Sequence, residues 1–332
     1  MNFSAKIVGI FGAYFWVRVE NSDTTLRAKP RGKLRLGARK ESKFAELKAQ
    51  HMLAIGDHVV IQKPDKADEK GIEAYITELK PRKNIFQRAS FSRLQTLGAN
   101  LDAVVIITSV EEPSFNPGFV DRVLVETENE NLRAVLILNK TDLMQKKTSA
   151  ELSEKYNKIL RFCEEYENLG YAVFYETFKK EIISEKLMSF LTENLYILNG
   201  LSGVGKSTFL NLLAEEKIQV TGDIGTSAKG KHTTTNPVLY KLKNGVEVID
   251  VPGIREFGLA HKTPREIGGG FIEFRKYNCR YDNCIHLKEP GCGVKEAVIA
   301  GKIKEFRYNS YLSILESLGE EYKPRKGDFR KQ

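Results

Sequence analysis

The sequence has 332 residues, which is enough for about two domains, or three if one is small. Hydrophobic residues make up 41% and charged residues 29%, which excludes a disordered or collagen-like chain. No stretch approaches the roughly 18 consecutive apolar residues of a membrane span, so we expect no membrane partner. The net charge of +9 favours a polyanionic partner such as nucleic acid, without naming one.

Short β-type runs separated by turn signals fill about the first 80 residues. The predicted strands are Lys6–Ile10, Tyr14–Val19, His58–Gln62 and Ala74–Leu79. These runs predict a small all-β barrel over residues 1–85. The segment from Leu26 to Lys40 is strongly basic and is predicted to be a loop, which is either merely solvated or neutralises nucleic-acid phosphates.

From Leu101 the pattern changes to apolar β runs that alternate with helical patterns. The predicted strands are Leu101–Thr108, Leu132–Leu138, Tyr171–Tyr175, Leu195–Leu198 and Val246–Ile249, and the predicted helices are Gly118–Glu128, one from a capping box at Thr148 and Glu151 to about Glu167, and Lys180–Thr192. This alternation predicts a parallel sheet with crossover helices over residues 86–260. Helical patterns at Val294–Ala300 and Ile303–Leu318 then predict a mostly helical third domain over residues 261–332, which ends in a basic tail.

The segment GLSGVGKS at residues 200–207 follows a predicted strand and opens a predicted helix, which is the setting of a phosphate-binding loop. Glycines let main-chain N–H groups curl around phosphates, and the helix N-terminus adds positive potential. Lys206 is the predicted catalytic cation at the β- and γ-phosphates, and Ser207 is a predicted Mg²⁺ ligand. The predicted nucleotide contacts of this segment are Asn199, Gly200, Leu201, Ser202, Gly203, Val204, Gly205, Lys206, Ser207 and Thr208.

A second motif, Asn139, Lys140, Thr141 and Asp142, ends a predicted strand at the sheet edge where α/β proteins bind ligands. The Asp142 carboxylate can accept hydrogen bonds from both N1–H and the N2 amine of guanine. Adenine presents an acceptor at N1 instead, and the resulting buried mismatch costs about 1–3 kcal/mol. Together with the phosphate loop, the motif predicts GTP or GDP with Mg²⁺ as the ligand.

Asp250 ends the predicted strand Val246–Ile249 and begins the sequence DVPG. Its position predicts a water-mediated Mg²⁺ contact, and the N–H of Gly253 is available to the γ-phosphate. The segment 221–235 between the phosphate loop and Asp250 is rich in Gly, Thr and Lys. It suits a mobile switch in which a threonine, assigned to Thr234, completes the magnesium shell, and a merely solvated loop is the alternative.

The order of these motifs is unusual, because GTPases ordinarily carry the guanine motif last and here it comes first. Joining the usual ends and cutting before the strand at Leu101 reproduces the observed order. We therefore infer a circularly permuted P-loop GTPase domain. In this arrangement Asp250 leads directly into the third domain, so nucleotide state can act on that domain through a short covalent connection.

Three of the four cysteines lie within fourteen residues, in the pattern Cys279-x4-Cys284-x-His286-x5-Cys292. Three thiolates and one imidazole suit one tetrahedral Zn²⁺ in a closed structural site that leaves no position for metal chemistry. Unrelated core cysteines beside a surface histidine are the alternative. Cysteines used as metal ligands favour a reducing compartment, so we expect a cytoplasmic protein.

With these motifs, the chain resembles the circularly permuted bacterial GTPases that assist small-ribosomal-subunit maturation, the ribosome small-subunit-dependent GTPase A (RsgA/YjeQ-like) family. The resemblance covers nearly the whole chain and also includes Gly56-Asp57, Pro81–Asn84 with Arg88, and the run His232–Thr235. It implies an OB-fold-like RNA-binding barrel over residues 1–85, a permuted GTPase domain and a zinc domain, which contact ribosomal RNA. It also implies GTP hydrolysis that releases the protein from the small subunit late in maturation.

Two features depart from the usual patterns. The loop that usually carries Ser/Thr-Ala reads Tyr175–Lys179 here, so no guanine contact is predicted for it. Position 254 is Ile rather than the Gln that positions water in many GTPases. We hypothesise that His232 positions the attacking water instead, and the alternative is an exposed loop residue or an RNA contact.

The predicted function is a Mg²⁺-dependent GTPase that is stimulated by the small ribosomal subunit and acts as a monomer. The alternative is a GTP-dependent RNA-binding module in which nucleotide is a conformational ligand and turnover is incidental. A membrane-associated signalling GTPase would leave the barrel and the zinc cluster unexplained.

Overall fold

The computed structural model describes most of the chain. The described ranges are 2–22, 24–31, 53–64, 71–90, 93–145, 149–191, 195–214, 219–220, 237–242, 245–251 and 256–321. The predicted site residues His232, Thr234 and Gly253 lie outside these ranges, and so does Ile254.

Five strands in the described part of the N-terminal region close into a barrel. They are β1 (Asn2–Phe11), β2 (Tyr14–Val19), β3 (Thr25–Pro30), β4 (His58–Gln62) and β5 (Ala74–Leu79). Their order is β1-β2-β3-β5-β4, β1 pairs with β4 to close the barrel, and β3 runs parallel to β5. Alternate side chains, among them Ile7, Val17, Val59 and Ile76, fill the interior. The predicted barrel is confirmed.

Strand β3 differs from the sequence prediction, which placed a basic loop from Leu26 onward. Leu26 and Ala28 are buried in the barrel, whereas Lys29 is exposed and Arg27 is half-buried. This alternation has the period of a strand, and the apolar positions are hidden in the sequence by the basic residues between them. The loop prediction is therefore wrong for residues 26–30, and residues 32–40 lie outside the described part of the chain.

A mostly parallel sheet follows the barrel, in the order β10-β9-β8-β11-β14-β13. Its strands are β8 (Ala103–Ser109), β9 (Arg133–Asn139), β10 (Ala172–Tyr175), β11 (Leu195–Asn199), β13 (Val238–Lys241) and β14 (Glu247–Asp250), with the short strand β12 (Gln219–Val220) paired to β13. The helices between these strands are α1 (Pro117–Asn129), α2 (Ala150–Asn168), α3 (Glu185–Phe190) and α4 (Lys206–Ala214). The predicted parallel sheet with crossover helices is confirmed.

Two helices of this region begin elsewhere than predicted. Helix α2 is capped by Ser149, whose hydroxyl accepts a hydrogen bond from the N–H of Leu152, whereas Thr148 lies outside the described residues. The helix predicted from Lys180 starts only at Glu185, because Phe178–Lys180 forms a 3-10 turn that ends at Glu181 with φ of 57°. A residue in the left-handed region interrupts helical geometry, so α3 needs a new cap, which Ser184 provides.

A β-hairpin, which the sequence analysis did not predict, connects the barrel to the sheet. It consists of β6 (Ile85–Ser90) and β7 (Arg93–Ala99). Ala89 pairs with Gly258, and the ring of Phe86 stacks on Phe257 with centroids 5.3 Å apart. The hairpin therefore fastens the segment that follows β14.

The C-terminal region is mostly helical, as predicted, with α5 (Pro264–Gly269), α6 (Gly293–Ile299) and α7 (Glu305–Glu321). Helix α7 packs with α5 against α1 of the sheet region. The predicted domain bounds at residues 85 and 260 stay predictions. Across the described ranges, no helix is both long and apolar enough to cross a membrane.

Candidate nucleotide site and zinc cluster

The phosphate loop lies between the end of β11 at Asn199 and the start of α4 at Lys206. Gly203 and Gly205 have φ of 85° and 106°, a region that favours glycine. A Cβ atom on Gly205 would lie 2.4 Å from Nδ2 of Asn139, and one on Gly200 would lie 2.3 Å from the carbonyl oxygen of Ile107. The loop therefore approaches its neighbours so closely that side chains at these positions are excluded.

Lys206 is held over this loop. Its ammonium donates hydrogen bonds to the carbonyl oxygens of Gly200, at 2.6 Å, and Leu201, at 2.9 Å. Burial lowers the pKa of Lys206, and the nearby Asp250 carboxylate opposes that shift. Ser207 and Thr208, the next two predicted contacts, are exposed at the start of α4. The ammonium and the two hydroxyls thus lie at the helix N-terminus, where anions bind.

Asp250 ends β14, and β14 pairs with β11 beside the phosphate loop. Its Oδ1 atom is buried and has no hydrogen-bond partner among the described residues. Burial raises the pKa of Asp250, although Lys206 and the N–H of Val251 act in the opposite direction. A buried carboxylate oxygen without a partner is costly. A hydrated Mg²⁺ held by Ser207 and Asp250 would satisfy it, so these residues fit the ion.

Asn199 shows a related feature on the same strand end. Its side chain is fully buried, and neither its Nδ2 nor its Oδ1 atom has a hydrogen-bond partner in the described part of the chain. Unsatisfied amides of this kind are rare in folded proteins. Asn199 therefore places a buried amide donor and acceptor at the base of the phosphate loop.

The guanine motif is joined to the phosphate loop by Asn139. Its Nδ2 atom donates to the carbonyl oxygen of Val204 at 2.8 Å, and its Oδ1 atom accepts from the N–H of Phe178 at 3.0 Å. Lys140 has φ of 62°, and its ammonium donates to the carbonyl oxygen of Glu111 at 3.2 Å. One amide thus holds three segments together at the carboxyl edge of the sheet.

Asp142 lies in a 3-10 helix, Thr141–Gln145, directly after this junction. Its carboxylate accepts no hydrogen bond from any described residue and is partly exposed. A carboxylate in this position can therefore bond a ligand without first breaking an internal contact.

The turn Phe178–Lys180 belongs to the same site, although sequence analysis assigned no contact to it. Phe178 is buried, and its ring stacks on that of Phe209 in α4 with centroids 5.0 Å apart. The turn follows β10, which pairs with β9 next to the guanine motif. The loop Tyr175–Lys179, for which no guanine contact was predicted, therefore lies beside the guanine motif, and its position after a strand of the same sheet is the signal for that placement.

The zinc cluster consists of Cys279, Cys284, His286 and Cys292, whose ligand atoms all lie within 4.8 Å of one another. Nδ1 of His286 lies 3.4–3.5 Å from the three sulfurs, and Sγ of Cys279 lies 3.8 Å from Sγ of Cys292. Tetrahedral Zn²⁺ with Zn–S of about 2.3 Å and Zn–N of about 2.0 Å separates two sulfurs by about 3.8 Å and sulfur from nitrogen by about 3.5 Å. The four ligand atoms therefore fit one zinc ion, with Nδ1 as the histidine ligand.

The loop that carries these ligands is organised by Glu289, which sequence analysis missed. Its carboxylate accepts hydrogen bonds from the N–H groups of Ile285, Leu287 and Lys288 at 2.8–3.0 Å. The hydroxyl of Tyr308 in α7 donates to the carbonyl oxygen of His286 at 2.6 Å. The cluster is thereby tied to the helix that packs on the central region, an arrangement typical of a structural site.

The chain is similar in sequence to known GTPases. The family model described as RsgA GTPase matches residues 79–260, which include the phosphate loop, the guanine motif and Asp250. The chain is 38% identical over 273 residues to a protein of Mannheimia succiniciproducens named small ribosomal subunit biogenesis GTPase RsgA, and the match covers 80% of this chain and 74% of that protein.

Two solved structures share the fold over nearly the full chain. The crystal structure of YjeQ from Thermotoga maritima superimposes with a TM-score of 0.70 at 29% identity, covering 96% of this chain and 99% of that one. YloQ, described as a circularly permuted GTPase, gives a TM-score of 0.68 at 24% identity and covers 98% of this chain and 97% of its own. The likeness extends from the barrel through the sheet to the C-terminal helices.

Proposed function

The chain belongs to the RsgA GTPase family, and from that premise we propose that it hydrolyses GTP in the late maturation of the small ribosomal subunit. The observation that carries this function is the Asn139 side chain, which joins the phosphate loop at Val204 to the turn at Phe178. One ligand that spans both sides of this junction must present phosphates to Lys206 and a base to Asp142. GTP has that shape and chemistry.

Each part of the site has a separate role. Asp142 reads the guanine edge, the main chain of the phosphate loop cradles the phosphates, and Lys206 stabilises the charge that develops on the β- and γ-phosphates. Mg²⁺ held by Ser207 and Asp250 would neutralise phosphate charge when bound. Thr234 and Gly253 complete the magnesium and γ-phosphate contacts in this proposal, although both lie outside the described residues.

In this proposal the protein is a cytoplasmic monomer. Its barrel and its zinc-binding C-terminal region bind ribosomal RNA. Supporting features are the net charge of +9 and the outer face of β3, which carries Arg27 and Lys29. Hydrolysis releases the protein from the subunit. The domains are those predicted above, residues 1–85, 86–260 and 261–332.

Turnover of GTP in the presence of purified ribosomal subunits tests this function. We expect small subunits to stimulate turnover strongly, and large subunits and free RNA to stimulate it weakly. Lys206→Ala should remove the stimulated activity, because it removes a charge that contacts the transferred phosphate. Turnover that small subunits do not change, or equal stimulation by large subunits, would favour the RNA-binding module with incidental hydrolysis.

The role of His232 needs its own measurement. His232→Ala should lower subunit-stimulated turnover and leave GTP affinity and GTP-dependent subunit binding nearly unchanged, because water positioning acts only in hydrolysis. If stimulated turnover stays within about twofold of the parent, which corresponds to about 0.4 kcal/mol in the barrier, another group positions the water.

A further inference from the structure

Two loops meet at the proposed base site, and a threonine hydroxyl joins them in addition to Asn139. Oγ1 of Thr141 donates to the carbonyl oxygen of Glu176 at 3.0 Å and lies 2.9 Å from Oγ1 of Thr177. The N–H of Thr141 donates to the same carbonyl oxygen at 3.2 Å. Thr141 therefore ties the guanine motif to the end of β10 with both of its donors.

The residue that benefits from this tie is Asp142. It follows Thr141 directly in the 3-10 helix, and its carboxylate has no hydrogen-bond partner among the described residues. The residue before Thr141, Lys140, sits in the left-handed region, with φ of 62°. Since no side chain within the described ranges holds the carboxylate, its position depends on the main chain, and Thr141 is where that main chain is anchored.

Glu176, whose carbonyl oxygen accepts the hydrogen bonds of Thr141, is itself held in place by buried contacts. Glu176 is 5% exposed, and its own N–H donates to the carbonyl oxygen of Leu138 at 2.9 Å. Its carboxylate accepts hydrogen bonds from the hydroxyl and the N–H of Ser184, the N-cap of α3. No cation in the described part of the chain pairs with it. Burying a carboxylate without a cation costs free energy, and hydrogen bonds are needed to offset that cost. The hydrogen bonds from Ser184 to the Glu176 carboxylate therefore hold this loop in one position.

We propose that Thr141 is a positioning residue for guanine discrimination: its hydroxyl, bound to the carbonyl oxygen of Glu176 and the hydroxyl of Thr177, holds the Asp142 carboxylate in place for N1–H and the N2 amine of the base. This inference rests on the proposed role of Asp142. Hydrogen bonds to a carboxylate are strong and directional, so a small displacement weakens both contacts to guanine. The phosphate contacts are left intact, because the phosphate loop is held at Val204 by Asn139 and not by Thr141.

Nucleotide affinities of the full chain with Mg²⁺ test the proposal. The variant is Thr141→Val, which removes the hydroxyl at nearly constant shape, and the probes are GTP, ITP, which lacks the N2 amine, and ATP. We expect GTP to bind about 5–20-fold more weakly, ITP to lose less because it makes only one of the two contacts, and ATP to change little. The preference for GTP over ITP should therefore narrow. Thr141→Ser, which keeps the hydroxyl, should retain it.

Two further variants keep the test decisive. Thr77→Val in the barrel removes a hydroxyl that bonds the carbonyl oxygen of Val60 at 3.2 Å, and it should leave all three affinities unchanged. Thr177→Val removes only the second partner of Thr141, and it should narrow the GTP preference by about 2–3-fold even if Thr141→Val does not fold.

The results separate failure of this inference from failure of the base site. Equal losses for GTP, ITP and ATP, or no loss for any of them, in a folded Thr141→Val protein would overturn the positioning role. Asp142→Asn should weaken GTP and improve xanthosine triphosphate, because the amide can donate to the carbonyl that replaces the guanine amine. Equal losses for both of those nucleotides would reject the base site itself, and the positioning role would fall with it.

Discussion

The central sheet meets the barrel and the C-terminal helices in different ways. At the barrel, β1 pairs with β13 through Gly9 and Val238, so the sheet continues from one region into the other. Glu247 of β14 adds ion pairs to Lys6 and Arg18, with side chains 11–16% exposed. Because strand pairing carries part of this junction, that part does not depend on which side chains are present.

The junction with the C-terminal helices consists of side chains. Arg307 of α7 is buried and contacts both Asp121 of α1 and Glu273, with 2.7 Å between Nε of Arg307 and Oε1 of Glu273. A second buried group joins Glu126 of α1 to Nε2 of His261 at 3.0 Å. Losing one partner leaves the others buried without a counter-charge, so this junction should be more sensitive than the barrel junction to the loss of a single side chain.

Removing zinc should produce the largest difference in local stability between the two junctions. Structural zinc contributes an apparent 10–16 kcal/mol or so in small peptides, so metal loss should unfold residues near 270–295. Loss of the loop also removes the carbonyl that Tyr308 binds, which loosens α7, while the pairing of β1 with β13 is untouched. Hydrogen exchange of the Cys284→Ala protein measures both regions.

Metal analysis provides the control for this prediction. We expect one zinc per chain in the parent protein. A zinc content well below one per chain would contradict this prediction. So would hydrogen exchange that accelerates in the barrel of the Cys284→Ala protein as much as it does in the zinc loop.

Arg307→Met should have the next largest effect, a loss of about 3–5 kcal/mol in the free energy of unfolding. The variant keeps the apolar volume but leaves Asp121 and Glu273 buried without a cation. Burial already raises the pKa of Asp121, against the opposing effect of Arg307. Denaturant unfolding measures the loss, and Asp121→Asn added to Arg307→Met should recover part of it. A loss of less than about 1 kcal/mol would mean that the buried charges contribute no more than surface pairs.

Glu247→Gln tests the barrel junction, where we expect a loss of about 1–3 kcal/mol at neutral pH. Burial raises the pKa of Glu247, but Lys6 and Arg18 outweigh it and the net pKa is lowered. Since the folded pKa lies below the unfolded one of about 4.3, the contribution is fully present above that value and is lost as pH falls through the folded pKa. Unfolding of parent and variant should therefore differ at pH 7 and converge only as the pH falls through the lowered pKa of Glu247 in the folded protein. A constant difference across this range would reject the ionic origin.

The smallest effects should come from exposed pairs at the two junctions. Lys83 pairs with Asp102 near the barrel, and Arg275 pairs with Glu128 near the C-terminal helices, with the two basic side chains 63% and 52% exposed. Lys83→Met and Arg275→Met should each change the free energy of unfolding by about 0.5 kcal/mol or less, because solvent screens such pairs. A change above 1 kcal/mol in either variant would show that exposure does not rank these contacts.

The sequence predicted elements whose signal is local. Three predicted strands are short runs rich in β-branched and aromatic residues between turn signals, and the structure has strands with the predicted bounds, Tyr14–Val19, His58–Gln62 and Ala74–Leu79. The predicted phosphate loop follows β11 and the predicted guanine motif follows β9, both at one edge of the sheet. They could be predicted because strand ends and glycine spacing are also local signals.

What sequence analysis missed depends on distant partners. Charged residues are mostly exposed in folded proteins, so the sequence alone suggests that Arg307 and Asp121 lie on the surface. Only their pairing across 186 positions of the sequence makes their burial possible. The β6–β7 hairpin likewise depends on Phe257 and Gly258, far along the chain. The contact of Asn139 with Phe178 needs a fold in which two strand ends meet, and the predicted role of His232 stays a prediction.

The sheet order has a consequence for how the chain is made. Strand β8 lies between β9 and β11, and about 85 residues separate its end at Ser109 from the start of β11 at Leu195. At about 5–20 residues per second, one edge of β8 therefore waits about 4–17 s for its partner after it has been synthesised. All residues of this strand are buried in the finished protein, so before β11 is made the strand presents unpaired main-chain N–H and C=O groups beside apolar side chains. Such an edge is a template for wrong pairing, so the half-built sheet is a stage at which the nascent chain is prone to aggregation.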